Sequence, residues 1–326
     1  AFAVEMLAPS HTDIVLDPAC GSGGFLLYAL DAVRREADEY FDQDTIQHKS
    51  HWHDFAQKRL FGIKLNDSIA RVAKMNMIVH DDGHTNVISV DALQDVKKIR
   101  EENKGFAFNH FDIILTNPPF GAVVKKTEKA YLDGYDLDYD WKDGARSGKS
   151  KASVKTEILF LERCYQFLKP NGRMAIVLPD GILTNSSLQS VRDWLLERYR
   201  LLAVVSLPQF AFAHYGAGVK ASLVFLQKRE ADETPNDDEA IFMAIAENIG
   251  YDATGRKTFK TFKEPKIIGD TKTEWLRCDL FDMQFIYKRD SFNPDNWVET
   301  HRQVLPETGL IGEYRKFTEN PEPFFV

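Results

Sequence analysis

Cysteine is scarce in this sequence: three residues, Cys20, Cys164 and Cys278, are scattered over 326 positions. That excludes a disulfide framework and a CxxC metal site, and a reducing, cytoplasmic setting is expected. Long apolar runs are missing as well. No stretch reaches the roughly 18 residues of a membrane-spanning helix, and no cleavable signal opens the chain, so no membrane is expected. Positive charge is not in excess: 41 Lys and Arg stand against 49 Asp and Glu, a net −8, which argues against a nucleic-acid binder working through bulk charge. The deficit is uneven. Residues 1–229 hold 29 bases and 29 acids, whereas 230–326 hold 12 and 20. A catalytic stretch within 1–229 is therefore not barred from DNA, but a broad DNA-binding field has to come from a partner or from sequence upstream. His48, His51 and His53 match no common zinc spacing, and no metal is expected. No internal repeat is present.

At roughly 150 residues per domain the length allows about two domains. The first two-thirds alternate β-rich runs with amphipathic stretches, the pattern of an α/β fold with a mostly parallel, Rossmann-like seven-stranded sheet. Strands are predicted at 13–17, 60–65, 86–90, 111–116, 173–178, 201–207 and 219–227, and helices at 25–41, 68–80, 157–168 and 188–199. Only about a dozen residues join the last two strands, so they are expected as an antiparallel edge pair. Residues 1–7 read as a short leading helix. Residues 230–239 hold six acids, no base and Pro235, and read as a solvated linker. The expected division is a catalytic domain, 1–229, followed by the acidic linker and a C-terminal extension, 230–326.

The sequence Asp17-Pro18-Ala19-Cys20-Gly21-Ser22-Gly23-Gly24-Phe25 follows the first apolar run and opens a helix. Glycines there let a ligand approach the backbone, and free N–H groups at a helix start favour an anion. Leu26 occupies the third glycine position of GxGxxG, and no GK[ST] follows, which disfavours dinucleotide and P-loop sites. A Gly-x-Gly loop beside an acid suits a ligand carrying both a carboxylate and an ammonium group, and S-adenosyl-L-methionine fits. Pro18, Ala19, Ser22 and Phe25 would line it with Asp17, Gly21 and Gly23. Asp91 and Ala92, after the third strand, are placed for an adenine ring. Lys64 stands where an acid usually accepts ribose hydroxyls.

The apolar strand 111–116 runs directly into Asn117-Pro118-Pro119-Phe120-Gly121. In an open α/β sheet the ligand crevice lies at the carboxyl ends of the strands. Two prolines stiffen the turn, so the Asn117 side-chain oxygen and the Pro118 carbonyl can accept from one exocyclic amino group. Such acceptors pull a ring-conjugated nitrogen towards tetrahedral geometry and stabilise the charge that develops on it. Phe120 offers a stacking face. By composition the exact tetrapeptide arises about once in a thousand chains of this length.

Together these motifs resemble the amino-group DNA methyltransferases of the gamma motif order. More narrowly, Ala73-Lys74-Met75-Asn76-Met77, His80-Asp81-Asp82-Gly83-His84-Thr85-Asn86, Leu178-Pro179-Asp180-Gly181, Ile241-Phe242-Met243-Ala244 and Glu247-Asn248-Ile249-Gly250-Tyr251-Asp252-Ala253-Thr254-Gly255-Arg256 resemble the modification subunit of type I restriction–modification systems. The resemblance runs from about residue 1 to 256. It implies N6 methylation of a flipped-out adenine in DNA with S-adenosyl-L-methionine as donor. Asp17, Gly21 and Gly23 become cofactor-loop residues, Asp91 an adenine contact, and Asn117, Pro118, Pro119 and Phe120 the catalytic set, with Asn117 also beside the cofactor. The implied partners are double-stranded DNA, a DNA-specificity subunit, a restriction subunit and a second modification subunit. The family's upstream helical domain and Phe-Thr-Pro element are absent, as expected of a fragment of a longer polypeptide.

Residues 121–156 are too long and polar for an ordinary connection. Lys142, Arg146, Lys149, Lys151 and Lys155 outnumber the one acid among them, and Tyr131, Tyr135, Tyr139 and Trp141 precede them. This reads as a mobile loop closing over DNA and the target base. The residues leave two alternatives open: another amino acceptor, protein glutamine or an RNA base, and a catalytically silent subunit.

Overall fold

The computed structural model describes residues 1–80, 86–125, 130–142, 145–236, 238–261, 266–291, 293, 295–305 and 307–322. The 81–85 part of the His80 motif lies outside them. Two compact units emerge: residue 1 with 3–204 and 223–241, and residue 2 with 205–222 and 242–326.

The first unit is built on strands β1 (Val15–Asp17), β2 (Leu60–Lys64), β3 (Val87–Ser89), β4 (Phe111–Thr116), β5 (Leu168–Pro179), β6 (Tyr199–Ser206) and β7 (Ala221–Lys228). They lie in the order β6-β7-β5-β4-β1-β2-β3. The pairs β3–β2, β2–β1, β1–β4 and β4–β5 are parallel, in a sheet that is mostly parallel with antiparallel strands. This is the α/β class the alternation predicts. The central strands are apolar on both faces because both are covered: Ile113, Ile114, Leu115, Met174, Ala175 and Ile176 are fully buried.

The helices are α1 (Phe2–Leu7), α2 (Gly24–Tyr40), α3 (Ile46–Lys58), α4 (Asp67–Val79), α5 (Val96–Glu102), α6 (Thr156–Phe167), α7 (Asp180–Thr184) and α8 (Gln189–Arg198). Most predicted boundaries fall within one or two residues of these. Two differ more. The predicted strand 173–178 begins five residues earlier, at Leu168, and α3 carries no periodic signal, since only His48, Phe55 and Ala56 of its thirteen residues are buried.

The segment 121–155 is not a loose connection. Val123–Lys125 pairs antiparallel with Ser153–Lys155, and Tyr139–Lys142 with Ala145–Ser150. Between them two 3-10 turns bury Leu132, Tyr135 and Leu137. Their socket is α6, where the buried Glu162 accepts from Asp136 N (2.7 Å) and Leu137 N (2.8 Å). Burial pushes the Glu162 carboxyl up to about 7.

The acidic run is likewise anchored. Arg229, itself buried, donates to Glu233 (2.8 Å) and to both oxygens of Glu239 (2.6 Å each), and Arg200 donates to Glu233 (2.5 Å). Hydrogen bonds from Arg229 hold Glu239 below the usual carboxylate range. Charge counting alone sees six acids and misses the two arginines that gather two of them.

The second unit holds β8 (Phe242–Ile245), an antiparallel meander of β9 (Lys266–Ile268), β10 (Thr271–Trp275), β11 (Asp282–Arg289) and β12 (Trp297–Leu305), and helix α9 (Gly309–Glu319). Its small core is Leu276, Cys278 and Phe285, packed by Phe259, Leu280, Met283 and Tyr287. Gly309, at φ +58°, has no room for a side chain, since a Cβ would lie 2.7 Å from the Asp279 carbonyl.

Candidate active site

The glycine loop, the Asp91 turn and the Asn-Pro-Pro-Phe turn follow the carboxyl ends of β1, β3 and β4. Asp17 ends β1 and is 1% exposed. Its Oδ1 accepts from Ala19 N at 3.0 Å. Burial pushes this carboxyl up to about 7, against the opposing pull of the Ala19 N–H, the Thr116 hydroxyl and the Lys64 charge. Pro18 is buried, Ala19 and Phe25 are half-buried, and Ser22 is exposed.

Gly21 (φ +53°) and Gly23 (φ +91°) are both left-handed. The loop is pinned from behind by Cys20 N to Ile63 O (3.0 Å), by Gly23 N to Cys20 O (2.7 Å), and by Asn76 Nδ2 on α4 to Ser22 O (2.9 Å). Gly62 on β2 makes this possible, because a Cβ there would meet Leu26 at 2.9 Å and Cys20 Sγ at 3.2 Å. Ahead of the loop the space is open. A Cβ built at Gly21 or Gly24 meets nothing within 4 Å, and α2 starts with no side-chain cap on its amide groups. A buried acid beside uncapped helix amides suits an ammonium–carboxylate pair.

Asp91, half-buried, accepts from Leu93 N at 3.0 Å and so shapes the turn in which Ala92 is buried. Lys64 ends β2 half-buried. Asp67, three residues on, pairs with Arg71 at 2.5 Å.

Strand β4 delivers the Asn-Pro-Pro-Phe turn one strand over from Asp17. Asn117 and Pro119 are exposed, Pro118 is buried and Phe120 half-buried. The Pro119 carbonyl accepts from the Thr156 hydroxyl at 2.9 Å. Thr156 also bonds the Ala122 carbonyl through its amide (2.9 Å) and its hydroxyl (3.2 Å), and Gly121 N donates to Glu157 at 3.3 Å. The first turn of α6 therefore grips the turn from its far side. Among the described residues the Asn117 side chain and the Pro118 carbonyl make no hydrogen bond, which leaves both acceptors available.

The five bases predicted for DNA are not alike. Arg146 lies 3.5 Å over the Tyr139 ring and pairs with Asp136 at 3.2 Å. Lys151 donates to Leu137 O at 3.2 Å, and burial lowers its pKa. Lys155 is exposed just before α6. The side chains of Lys142 and Lys149 lie outside the described residues, as does that of Tyr131. Tyr135 is a core residue: its hydroxyl donates to Leu93 O (2.7 Å) and accepts from Arg163 Nε (2.7 Å). Arg163, 3% exposed, also donates to Leu93 O (2.9 Å) and Gln94 O (2.8 Å). One buried arginine thus ties the 121–155 insert to the turn that carries Asp91. Sequence reasoning missed the supporting roles of Gly62, Asn76, Thr156, Glu157 and Arg163. Only Asn76 carried a signal, as part of a recognised motif.

Strand order, with a glycine loop after β1 and Asn-Pro-Pro-Phe after β4, defines the class as a Rossmann-like α/β methyltransferase fold. More particularly, the chain belongs to the N-6 DNA Methylase family, whose model matches residues 1–287. It is similar to the type I restriction enzyme EcoEI methylase subunit of Escherichia coli, at 29% identity over 230 residues, 70% of this chain and 40% of that one. It is also similar to the EcoKI methylase subunit of Escherichia coli strain K12, at 28% over 239 residues, 72% of this chain and 40% of the relative. Among solved structures, one from a study of complex assembly in the type I restriction–modification system matches at TM-score 0.53 and 25% identity, over 75% of this chain and 42% of that chain. The EcoKI M protein shares the fold at TM-score 0.52 and 23% identity, over 74% and 44% of the two chains. The chain spans about two-fifths of the length of the curated relatives it matches.

Proposed function

We propose that this chain is the catalytic part of a DNA adenine-N6 methyltransferase, with residues 1–229 as its catalytic domain, working in the cytoplasm as the modification subunit of a type I restriction–modification assembly. The observation that carries the reading is the pair of unengaged acceptors, Asn117 Oδ1 and the Pro118 carbonyl, beside a glycine loop with a buried acid.

S-adenosyl-L-methionine, when bound, supplies a sulfonium methyl group. The uncapped start of α2 would hold its carboxylate, and Asp17 its ammonium. Gly21 leaves room for it, and Asp91 with Ala92 forms the turn beside its adenine. Lys64 offers no ribose acceptor, so the grip rests on the amino-acid end. Asn117 and Pro118 accept the two N–H bonds of the target amino group, concentrating its lone pair towards the methyl carbon and stabilising the positive charge that follows. Phe120 stacks on the extruded base. Thr156 and Glu157 hold the turn in place, and the exposed Lys155 is available to a DNA phosphate. Relatives named as methylase subunits of type I enzymes support a shared arrangement with a specificity subunit, a restriction subunit and a second modification subunit. The neutral charge of residues 1–229 agrees with DNA being held jointly.

The test is nucleoside mass spectrometry of DNA incubated with the complete assembly and S-adenosyl-L-methionine. N6-methyldeoxyadenosine is expected, lost in Asn117→Ala while cofactor binding persists. Methylation of RNA or protein alone, or full turnover by Asn117→Ala, refutes the reading.

A further inference from the structure

Away from the candidate active site, three side chains from three elements converge at the opposite, amino end of β1. His11 lies in the turn before that strand, Glu36 near the end of α2, and His51 in the middle of α3. Glu36 Oε2 accepts from the His11 backbone N–H at 2.8 Å, and Glu36 Oε1 lies 2.7 Å from His11 Nδ1. His51 Nε2 is 3.7 Å from the same Oε1, too long for a hydrogen bond. All three donor atoms fall within 4.8 Å of one another, and the two imidazole rings sit 4.0 Å apart.

We propose that His11 Nδ1, Glu36 Oε1 and His51 Nε2 form a binding site for one divalent transition-metal ion of the zinc type. Two imidazoles and a carboxylate are borderline donors that suit zinc, whereas calcium and magnesium prefer all-oxygen shells. Tetrahedral coordination with bonds of about 2.0–2.1 Å sets donor atoms about 3.4 Å apart. The observed 2.7 and 3.7 Å bracket that spacing, so small side-chain rotations suffice. The His51 side chain is nine-tenths buried and its Nε2 has no hydrogen-bond partner among the described residues. A buried polar atom left this way is costly unless something occupies its lone pair. The backbone N–H of His11 on Oε2 fixes the carboxylate, the outer-shell bond that metal-ligating groups usually have. His11 is 43% exposed, which gives an entry path and leaves the fourth position to water. Of the neighbouring histidines, His48 turns its Nε2 to Asp38 at 2.8 Å and His53 its Nδ1 to Gln57 at 3.5 Å. Bound metal would cross-link the approach to β1 with α2 and α3 and so act on stability.

The experiment is calorimetric titration of the chelator-treated full chain with Zn2+, with Co2+ absorption as a report on geometry. One Zn2+ per chain, tetrahedral Co2+ bands and a raised Tm are expected. His11→Gln, Glu36→Gln and His51→Gln should each weaken binding by more than about 100-fold, beyond the usual outer-shell effect, while His53→Gln retains it. The three cysteines are buried, so they do not compete while the chain is folded, which circular dichroism verifies. Absence of binding, or binding unchanged by His11→Gln at the exposed edge of the site, overturns the proposal.

Discussion

Asp17→Asn tests the candidate site through charge alone. The buried carboxyl sits at about 7 instead of 3.8, which corresponds to up to about 4 kcal/mol of opposition to ionisation in the folded chain, at 1.36 kcal/mol per tenfold change. Between those two pH values the folded chain keeps a proton that the unfolded chain has released. This group therefore favours folding fully below about pH 4 and loses that contribution as pH rises through about 7. Asparagine keeps an oxygen for the Ala19 N–H and carries no charge. Denaturant unfolding should find Asp17→Asn more stable than the parent by up to about 4 kcal/mol above pH 7, with the difference vanishing towards pH 4. Ligand binding should run the other way. An ammonium group needs the ionised carboxylate, so S-adenosyl-L-methionine affinity of the parent should fall about tenfold per pH unit below about 7, whereas Asp17→Asn binds weakly at every pH. Parallel stability curves for the two proteins, or parent affinity independent of pH from 5.5 to 7, refute the reasoning.

Three further outcomes follow from neighbouring contacts. Lys64→Met removes a charge that lowers the Asp17 pKa, so the midpoint of the pH dependence of cofactor binding should move upward, as calorimetry across pH would show. Thr156→Val deletes the hydroxyl donor to the Pro119 carbonyl, keeps the amide bond to Ala122 O, and should lower kcat about tenfold, the equivalent of one hydrogen bond of about 1.4 kcal/mol, with cofactor Kd unchanged. Arg163→Met removes three hydrogen bonds, leaving Gln94 O without its donor while Leu93 O keeps the Tyr135 hydroxyl; at roughly 1.5–3 kcal/mol per charged hydrogen bond, and without strict additivity, at least about 3 kcal/mol of stability should be lost in urea titration.

Local pattern made much of the first unit legible. The strand 111–116 and its Asn-Pro-Pro-Phe exit are contiguous, and the glycine loop follows its strand directly, so the fold class and the strand ends that carry the candidate residues could be read without coordinates. Features resting on partners far along the chain could not. Helix α3 buries too few side chains to show a period. The 121–155 insert looks like a polar loop until Glu162 and Arg163 supply the bonds that seat it. The acids at 233 and 239 look solvated until Arg200 and Arg229 meet them. Spacing among His48, His51 and His53 says nothing of metal, because the donors facing His51 come from residues 11 and 36. Sequence by itself determined the α/β sheet and its motif-bearing strand ends, since apolar periodicity and turn chemistry act over a few residues. Tertiary structure alone decided which buried charges are paired, what grips the Asn-Pro-Pro-Phe turn and where the histidines converge, because those depend on packing that brings distant residues into hydrogen-bonding range.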